Sequence, residues 1–100
     1  MAYQVIWSLE AIDSFDSIVE YLKISFSEKE VSRFVQLVNR RLLLMEKFPK
    51  AGKKVTKASL RRKIVLHKRT TLYYRVFERN KEVRLLVFFD TRQNPRKLNR

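Results

Sequence analysis

The sequence predicts an α+β fold, a helix hairpin packed on one face of a small, mainly antiparallel sheet in the order β-α-α-β-β-β. Three observations carry that expectation. Apolar residues recur at three- and four-residue steps through the first half, the period of a helix that faces a core. From Leu60 to Phe89 the pattern shifts to every second residue, the period of strands. The last strands are separated by short turns, as in an antiparallel meander. A chain of 100 residues fits one domain, 1–100, and leaves no room for a second independent core.

Tyr3-Gln4-Val5-Ile6-Trp7 is aromatic and β-branched and reads as a first strand, expected at a sheet edge with a partner the sequence does not name. Ser8 follows as a helix N-cap. Ile12, Phe15, Ile18, Val19, Leu22 and Phe26 then mark one face of a helix of about four turns. Ser27-Glu28-Lys29-Glu30 has capping-box spacing and opens a second helix, with Val31, Phe34, Val35, Val38, Leu42 and Met45 as its inner stripe. Pro49 and Gly52 stop it. The link between the helices is short, so they form an antiparallel hairpin. Lys50 to Ser59 reads as a basic loop. Leu60–Leu66 reads as a strand with Leu60, Ile64 and Leu66 on one face, and Thr70–Glu78 as another with Leu72, Tyr74 and Val76 inward. Arg79-Asn80-Lys81 is a turn in which Asn80 takes positive φ. The last strand places Val83, Leu85, Val87 and Phe89 on one face, Leu86 and Phe88 on the other. The expected core is Trp7, Phe15, Leu22, Phe34, Val38 and Leu85.

Composition narrows the chemistry. Apolar types make up 45% of the chain, too many for a disordered polymer. There is no Cys, which removes disulfides, thiolate nucleophiles and Cys-ligated metal. The one His rules out a two-His zinc motif, the one Gly rules out phosphate-loop and dinucleotide fingerprints, and the acids are dispersed along helix faces. No cofactor and no metal are therefore expected. No long uncharged apolar run spans a membrane. Met1-Ala2-Tyr3-Gln4 lacks a basic region and an apolar signal core, so the expected location is cytoplasmic.

Charge is the first functional clue. Residues 1–46 hold five Lys/Arg against seven acids; residues 47–100 hold eighteen against Glu78, Glu82 and Asp90, a net of +15 in a chain of net +13. A field of that sign concentrates anionic partners, either nucleic acid or an acidic protein segment. Lys53, Lys54, Lys57, Lys68, Arg69, Tyr73, Arg75 and Arg92 are the candidates for binding a target or partner. An aromatic-plus-arginine sheet stacks single-stranded bases, yet aromatics also fill cores. Alternation leaves Tyr73, Phe77 and Phe88 as the candidates for an exposed surface. An apolar outer face that no element of the chain covers would indicate a bound partner. No acid lies within ten residues of His67. Any catalysis thus falls to Lys, Arg, Tyr or His67, with cations stabilising phosphorane-like charge and His67 as general acid or base. The structural alternative for His67 is a polar residue closing a strand before the Lys68-Arg69 turn.

The residues also carry a resemblance. Trp7-Ser8 leading into Ala11…Asp16…Ile18…Tyr21-Leu22, the Phe48-Pro49…Gly52 helix stop, Arg61…Leu72-Tyr73-Tyr74-Arg75-Val76 and above all Phe88-Phe89-Asp90-Thr91-Arg92-Gln93-Asn94-Pro95 resemble the RelE/ParE toxin superfamily over nearly the whole chain. The resemblance implies a small basic toxin of a type II toxin-antitoxin (plasmid stabilisation) system, neutralised by a cognate antitoxin with an acidic, disordered segment. It implies one of two targets: the ribosome and its mRNA, cleaved by RelE-like endoribonucleases, or DNA gyrase, inhibited by ParE-like toxins. RelE-like nucleases carry basic residues on the middle strands and an arginine after the last, roles that Lys63, Arg69 and Arg92 match. Many add a terminal Tyr or His-Tyr pair, whereas Thr91 to Arg100 here contains neither. That departure favours a ParE-like, non-enzymatic toxin. The structural alternative for Arg92-Gln93-Asn94-Pro95 is a turn that closes the sheet edge. A generic nucleic-acid-binding domain is the third reading.

Overall fold

A computed structural model describes residues 2–92. The chain runs β1 (Gln4–Trp7), α1 (Leu9–Ser25), α2 (Glu28–Lys47), β2 (Lys53–Lys54), β3 (Arg61–His67), β4 (Thr70–Phe77) and β5 (Glu82–Asp90). The strands form one sheet in the order β1-β5-β4-β3-β2. All pairings are antiparallel except β1 with β5, which is parallel because the helix hairpin carries the chain back across the sheet. The α+β architecture thus matches expectation, with one added strand. Two residues of the expected basic loop, Lys53 and Lys54, pair with Lys63 and Arg62 as an edge strand. Such a short, charged edge discourages pairing with other chains.

Both helices start as the sequence dictates. Ser8 Oγ accepts from the Ala11 amide at 3.0 Å, and Ser27 Oγ accepts from the Glu30 amide at 3.3 Å. The Glu30 carboxylate engages Arg33. Ile18 and Leu22 of α1 and Phe34, Val38 and Met45 of α2 are buried against Leu66, Leu72, Tyr74, Val83, Leu85 and Phe88 of the sheet. Trp7 and Phe15 are half-buried rather than buried. They sit at the margin of the core, where Trp7 stacks on Phe88 at 5.4 Å between centroids and meets Phe15 edge-on at 5.3 Å. Ile12, Phe26 and Leu60 are exposed, so the inner stripe is narrower than its period implied. Among the described residues no helix is long and apolar enough to cross a membrane.

The chain leaves α2 through a tight corner. The Tyr74 hydroxyl, deep in the sheet, accepts from the Gly52 amide at 2.8 Å and donates to the Pro49 carbonyl at 2.9 Å. A Cβ on Gly52 would lie 2.5 Å from that hydroxyl and 2.7 Å from the Lys63 carbonyl. Only glycine fits this approach. Burial pushes the Tyr74 phenol up despite the Gly52 bond.

Two irregularities decide which side chains face where. In β5, Tyr73 pairs with Val87 but Tyr74 with Leu85, leaving Leu86 as the extra residue of a bulge. Alternation restarts there, so Phe88 and Asp90 turn toward the helices and Phe89 is only half-buried, the reverse of the assignment from strict alternation. The bulge occurs where β1 has ended and α1 covers the β5 edge. Ser8 Oγ donates to the Leu86 carbonyl at 3.0 Å, and the Phe88 amide donates to Ser14 Oγ at 2.9 Å. These serines satisfy backbone groups that would otherwise be buried without partners. In β3, Val65 pairs with Thr71 and His67 with Thr70, so Leu66 is the bulged residue and His67 joins the helix side. In the β4–β5 turn the positive φ falls on Lys81, at 53°, and not on Asn80.

Candidate functional site

The sheet face turned away from the helices is cationic. Pairing aligns Lys53, Lys63, Tyr73 and Val87 in one row across β2, β3, β4 and β5. A second row joins Arg61, Arg75 and Arg84. The guanidinium carbons of Arg75 and Arg84 lie 4.6 and 4.2 Å from the Phe77 ring centroid, so one aromatic ring holds two like charges in place. Glu82 neutralises only Arg84, at 3.0 Å. The Arg75 Nε is buried and has no hydrogen-bond partner among the described residues. Val65 is 58% exposed, and Tyr73, Phe77, Val87 and Phe89 are half-buried. This face is thus both basic and partly apolar, and no described element covers it.

On the helix side, a second group of cations is built around one carboxylate. The Asp90 side chain is fully buried at the end of β5. Its Oδ1 accepts from the backbone amide and Nε of Arg92 at 2.9 and 3.0 Å. Its Oδ2 accepts from Arg92 Nη2 at 2.7 Å and from the Thr70 hydroxyl at 2.6 Å. Burial pushes the Asp90 carboxyl up, but the bonds from Arg92 and Thr70 outweigh it and hold the group below the usual carboxylate range. The same bonds raise Arg92 further. Arg92, thus fixed, lines a pocket of about 280 Å³ with His67, Leu22 and the α2 residues Arg33, Phe34, Leu37 and Arg40.

The sequence candidates therefore fall into separate groups. Lys53, Lys63, Tyr73 and Arg75 share the outer face. Lys54 and Lys57 are exposed on β2 and in the loop after it. Lys68 and Arg69 are exposed in the β3–β4 turn, where the Arg69 carbonyl accepts from the Thr91 amide at 2.9 Å. His67 and Arg92 meet at the pocket, so Lys63, His67, Arg69 and Arg92 do not converge on one point. Gln93, Asn94 and Pro95 lie outside the described residues. Sequence reasoning missed Asp90, Thr70, Arg33 and Arg40. One signal was present: one of only three acids in a basic half, two residues before an arginine.

The geometry joins a helix hairpin to a basic, uncovered sheet, and comparisons with known proteins place it. No curated protein matches the chain. Among solved structures, it superposes on a chain of the chromosomal ParDE toxin-antitoxin system from P. aeruginosa with a TM-score of 0.72 at 14% identity, covering 89% of this chain and 96% of that one. A chain of the toxin-antitoxin complex RelBE2 from Mycobacterium tuberculosis gives 0.62 at 13% identity, over 90% and 99%. An arginine-substituted E. coli toxin RelE in the free state gives 0.62 at 13% identity, over 95% and 90%. At such identities the superpositions speak for the fold. The family assignment comes from residues 5–95, which match the ParE toxin of the type II toxin-antitoxin system parDE, and the chain therefore belongs to the ParE toxin family.

Proposed function

We propose that this chain is a toxin that acts by binding, with DNA gyrase as its target, and that a cognate antitoxin restrains it in the cytoplasm. The observation that carries the reading is the dispersal of the four side chains a nuclease would need, Lys63, His67, Arg69 and Arg92. Lys63 lies on the outer face, Arg69 in a turn, and Arg92 on the helix side with two of its guanidinium nitrogens committed to Asp90. Phosphoryl transfer needs such groups focused on one phosphate. A broad cationic face suits a protein interface whose affinity is spread over many contacts. Inhibition of gyrase supercoiling by purified toxin, without cleavage of ribosome-bound mRNA, is the expected result. Cleavage at the ribosomal A site together with loss of killing in His67→Ala would overturn it. The ribonuclease reading draws support from one feature, the meeting of His67 and Arg92 at the pocket.

The antitoxin is expected to offer an acidic, otherwise disordered segment to the outer face and the β2 edge. Cations there steer the encounter, and Tyr73, Val87 and Phe89 supply apolar anchors. Charge reversal at Lys53, Lys54 and Lys57 should slow association roughly tenfold at low salt and flatten its salt dependence. Unchanged association rates would remove the electrostatic part of this reading.

A further inference from the structure

The pocket beside α2 lies on the opposite side of the sheet from the basic outer face, and its construction indicates an occupant. Its floor is apolar, made by Leu22, Phe34 and Leu37. Its α2 wall carries Arg33 and Arg40, which with Leu37 recur at the spacing of one helix face, together with Gln36 and the Glu30 carboxylate that pairs with Arg33. The facing wall is assembled by two devices described above. The β3 bulge turns His67 to the helix side, and the buried Asp90 carboxylate holds Arg92 in place.

Charge and volume restrict what can enter. Arg33 is balanced by Glu30 at 3.1 Å and Arg92 by Asp90 at 2.7 Å. Arg40 has no ion-pair partner among the described residues, and neither does His67. Nη1 of Arg92 is not among the atoms that bind Asp90. The uncompensated charge is thus one arginine beside a histidine, which complements a single carboxylate better than a polyanionic strand. The volume of about 280 Å³ is below the usual range for small-molecule sites, about 300–1,000 Å³, and takes one or two side chains rather than a nucleotide.

We infer that this pocket receives an acidic side chain adjacent to a bulky apolar one from a partner polypeptide, the apolar group on Leu22 and Phe34 and the carboxylate against Arg40. Asp90 is a positioning residue: it presents Arg92 to the entrant carboxylate without touching it. The inference relies on the toxin–antitoxin reading only in naming the antitoxin as the source of the peptide. Its test stands apart from the outer-face and gyrase experiments.

The test is titration of the ¹⁵N-labelled full chain, followed by NMR, with N-acetyl-Leu-Glu-amide, N-acetyl-Leu-Gln-amide and uridine monophosphate. The Leu-Glu probe should shift the His67 ring and the amides of α2 residues 33–40, and bind at least fivefold more tightly than Leu-Gln. Arg40→Ala, a change at an exposed side chain that leaves the fold intact, should abolish that preference. Asp90→Asn should weaken Leu-Glu binding while the His67 shifts persist, provided the spectrum remains that of the folded chain. Equal affinity for the two dipeptides, stronger binding of uridine monophosphate, or shifts confined to Lys63, Tyr73 and Arg75 would each overturn the inference. Gyrase inhibition and charge reversal at Lys53, Lys54 and Lys57 report on the outer face alone, so failure of one reading is distinguishable from failure of the other.

Discussion

The two faces of the sheet are made from the same three long strands yet serve different ends. The inner face carries Leu66, Leu72, Tyr74, Val83, Leu85 and Phe88, all buried under the helices. The outer face carries Lys63, Arg61, Arg75 and Arg84 around Tyr73, Phe77 and Val65, with no described element over it. Period-two alternation produces this division, because each strand sends successive side chains to opposite sides. The contrast teaches that the packed core and the exposed cationic surface are separated by residue parity. A substitution should register in unfolding or in association according to the face it occupies.

The largest expected effect tests the inner face. Phe34 is 6% exposed and stacks on Phe15 at 5.5 Å between centroids. Phe34→Ala should cost about 3–5 kcal/mol in urea unfolding, the usual range for such a core truncation. A loss below about 1 kcal/mol would put the α2 register in error.

The next tests the buried ion pair at the end of β5. Asp90→Ala strands the Arg92 guanidinium, 15% exposed, and leaves the Thr70 hydroxyl without its acceptor. A loss of about 3 kcal/mol at pH 7 is expected, at the lower end for a broken buried pair because Arg92 reaches some solvent. The Asp90 carboxyl is held below its ordinary value in the fold, so its contribution is complete above about pH 5 and fades as pH falls through the folded value. Unfolding curves of the wild type and Asp90→Ala should therefore approach one another as the pH falls below the ordinary carboxylate range. A gap that stays constant with pH would mean that packing, not charge, supplies the stabilisation.

Tyr74→Phe is a smaller step. It leaves the Gly52 amide and the Pro49 carbonyl without their shared partner, at a cost of about 1–3 kcal/mol in thermal or urea unfolding. The smallest stability change belongs to the outer face. Lys63→Ala should alter unfolding by no more than about 0.5 kcal/mol while slowing association with the antitoxin at low salt. If Lys63→Ala destabilised as Tyr74→Phe does, the separation of the two faces would not hold.

Much of this arrangement is legible in the sequence, and the exceptions share a physical cause. Ser8 and Ser27 announce the helices because capping depends on residues next to each other in the chain. The stripe Phe34, Val38, Met45 is legible because one helix generates its own period. Pairing of β1 with β5 is not legible, since the residues that meet are more than seventy positions apart. β2 is too short and too charged to show a pattern. The bulge at Leu86 is hidden within Val83–Phe89, where six of seven residues are apolar and either phase reads equally well. Phe88 and Phe89 exchanged faces for that reason. At the candidate sites, charge clustering is visible in the sequence, but its division between faces is set by strand phase. Asp90 reads as a stray acid until the fold closes Thr70 and Arg92 around it.

The Leu86 bulge also bears on how such a domain can change. It acts on strand phase as a frameshift acts on a reading frame: everything downstream exchanges inside for outside. Point substitutions cannot reproduce or remove that effect, because they change a side chain without changing its parity. A strand of this length paired without the bulge would turn Phe88 and Asp90 outward and bring Val87 and Phe89 under the helices, and Arg92 would lose its anchor. Deleting Leu86, by contrast, would remove only the extra residue and keep Phe88 and Asp90 inward. Length and pairing in this strand are therefore coupled. An apolar residue here can be exchanged for another, and the extra residue can be lost, but the strand cannot keep all its residues and lose the bulge without rebuilding the far end of the sheet.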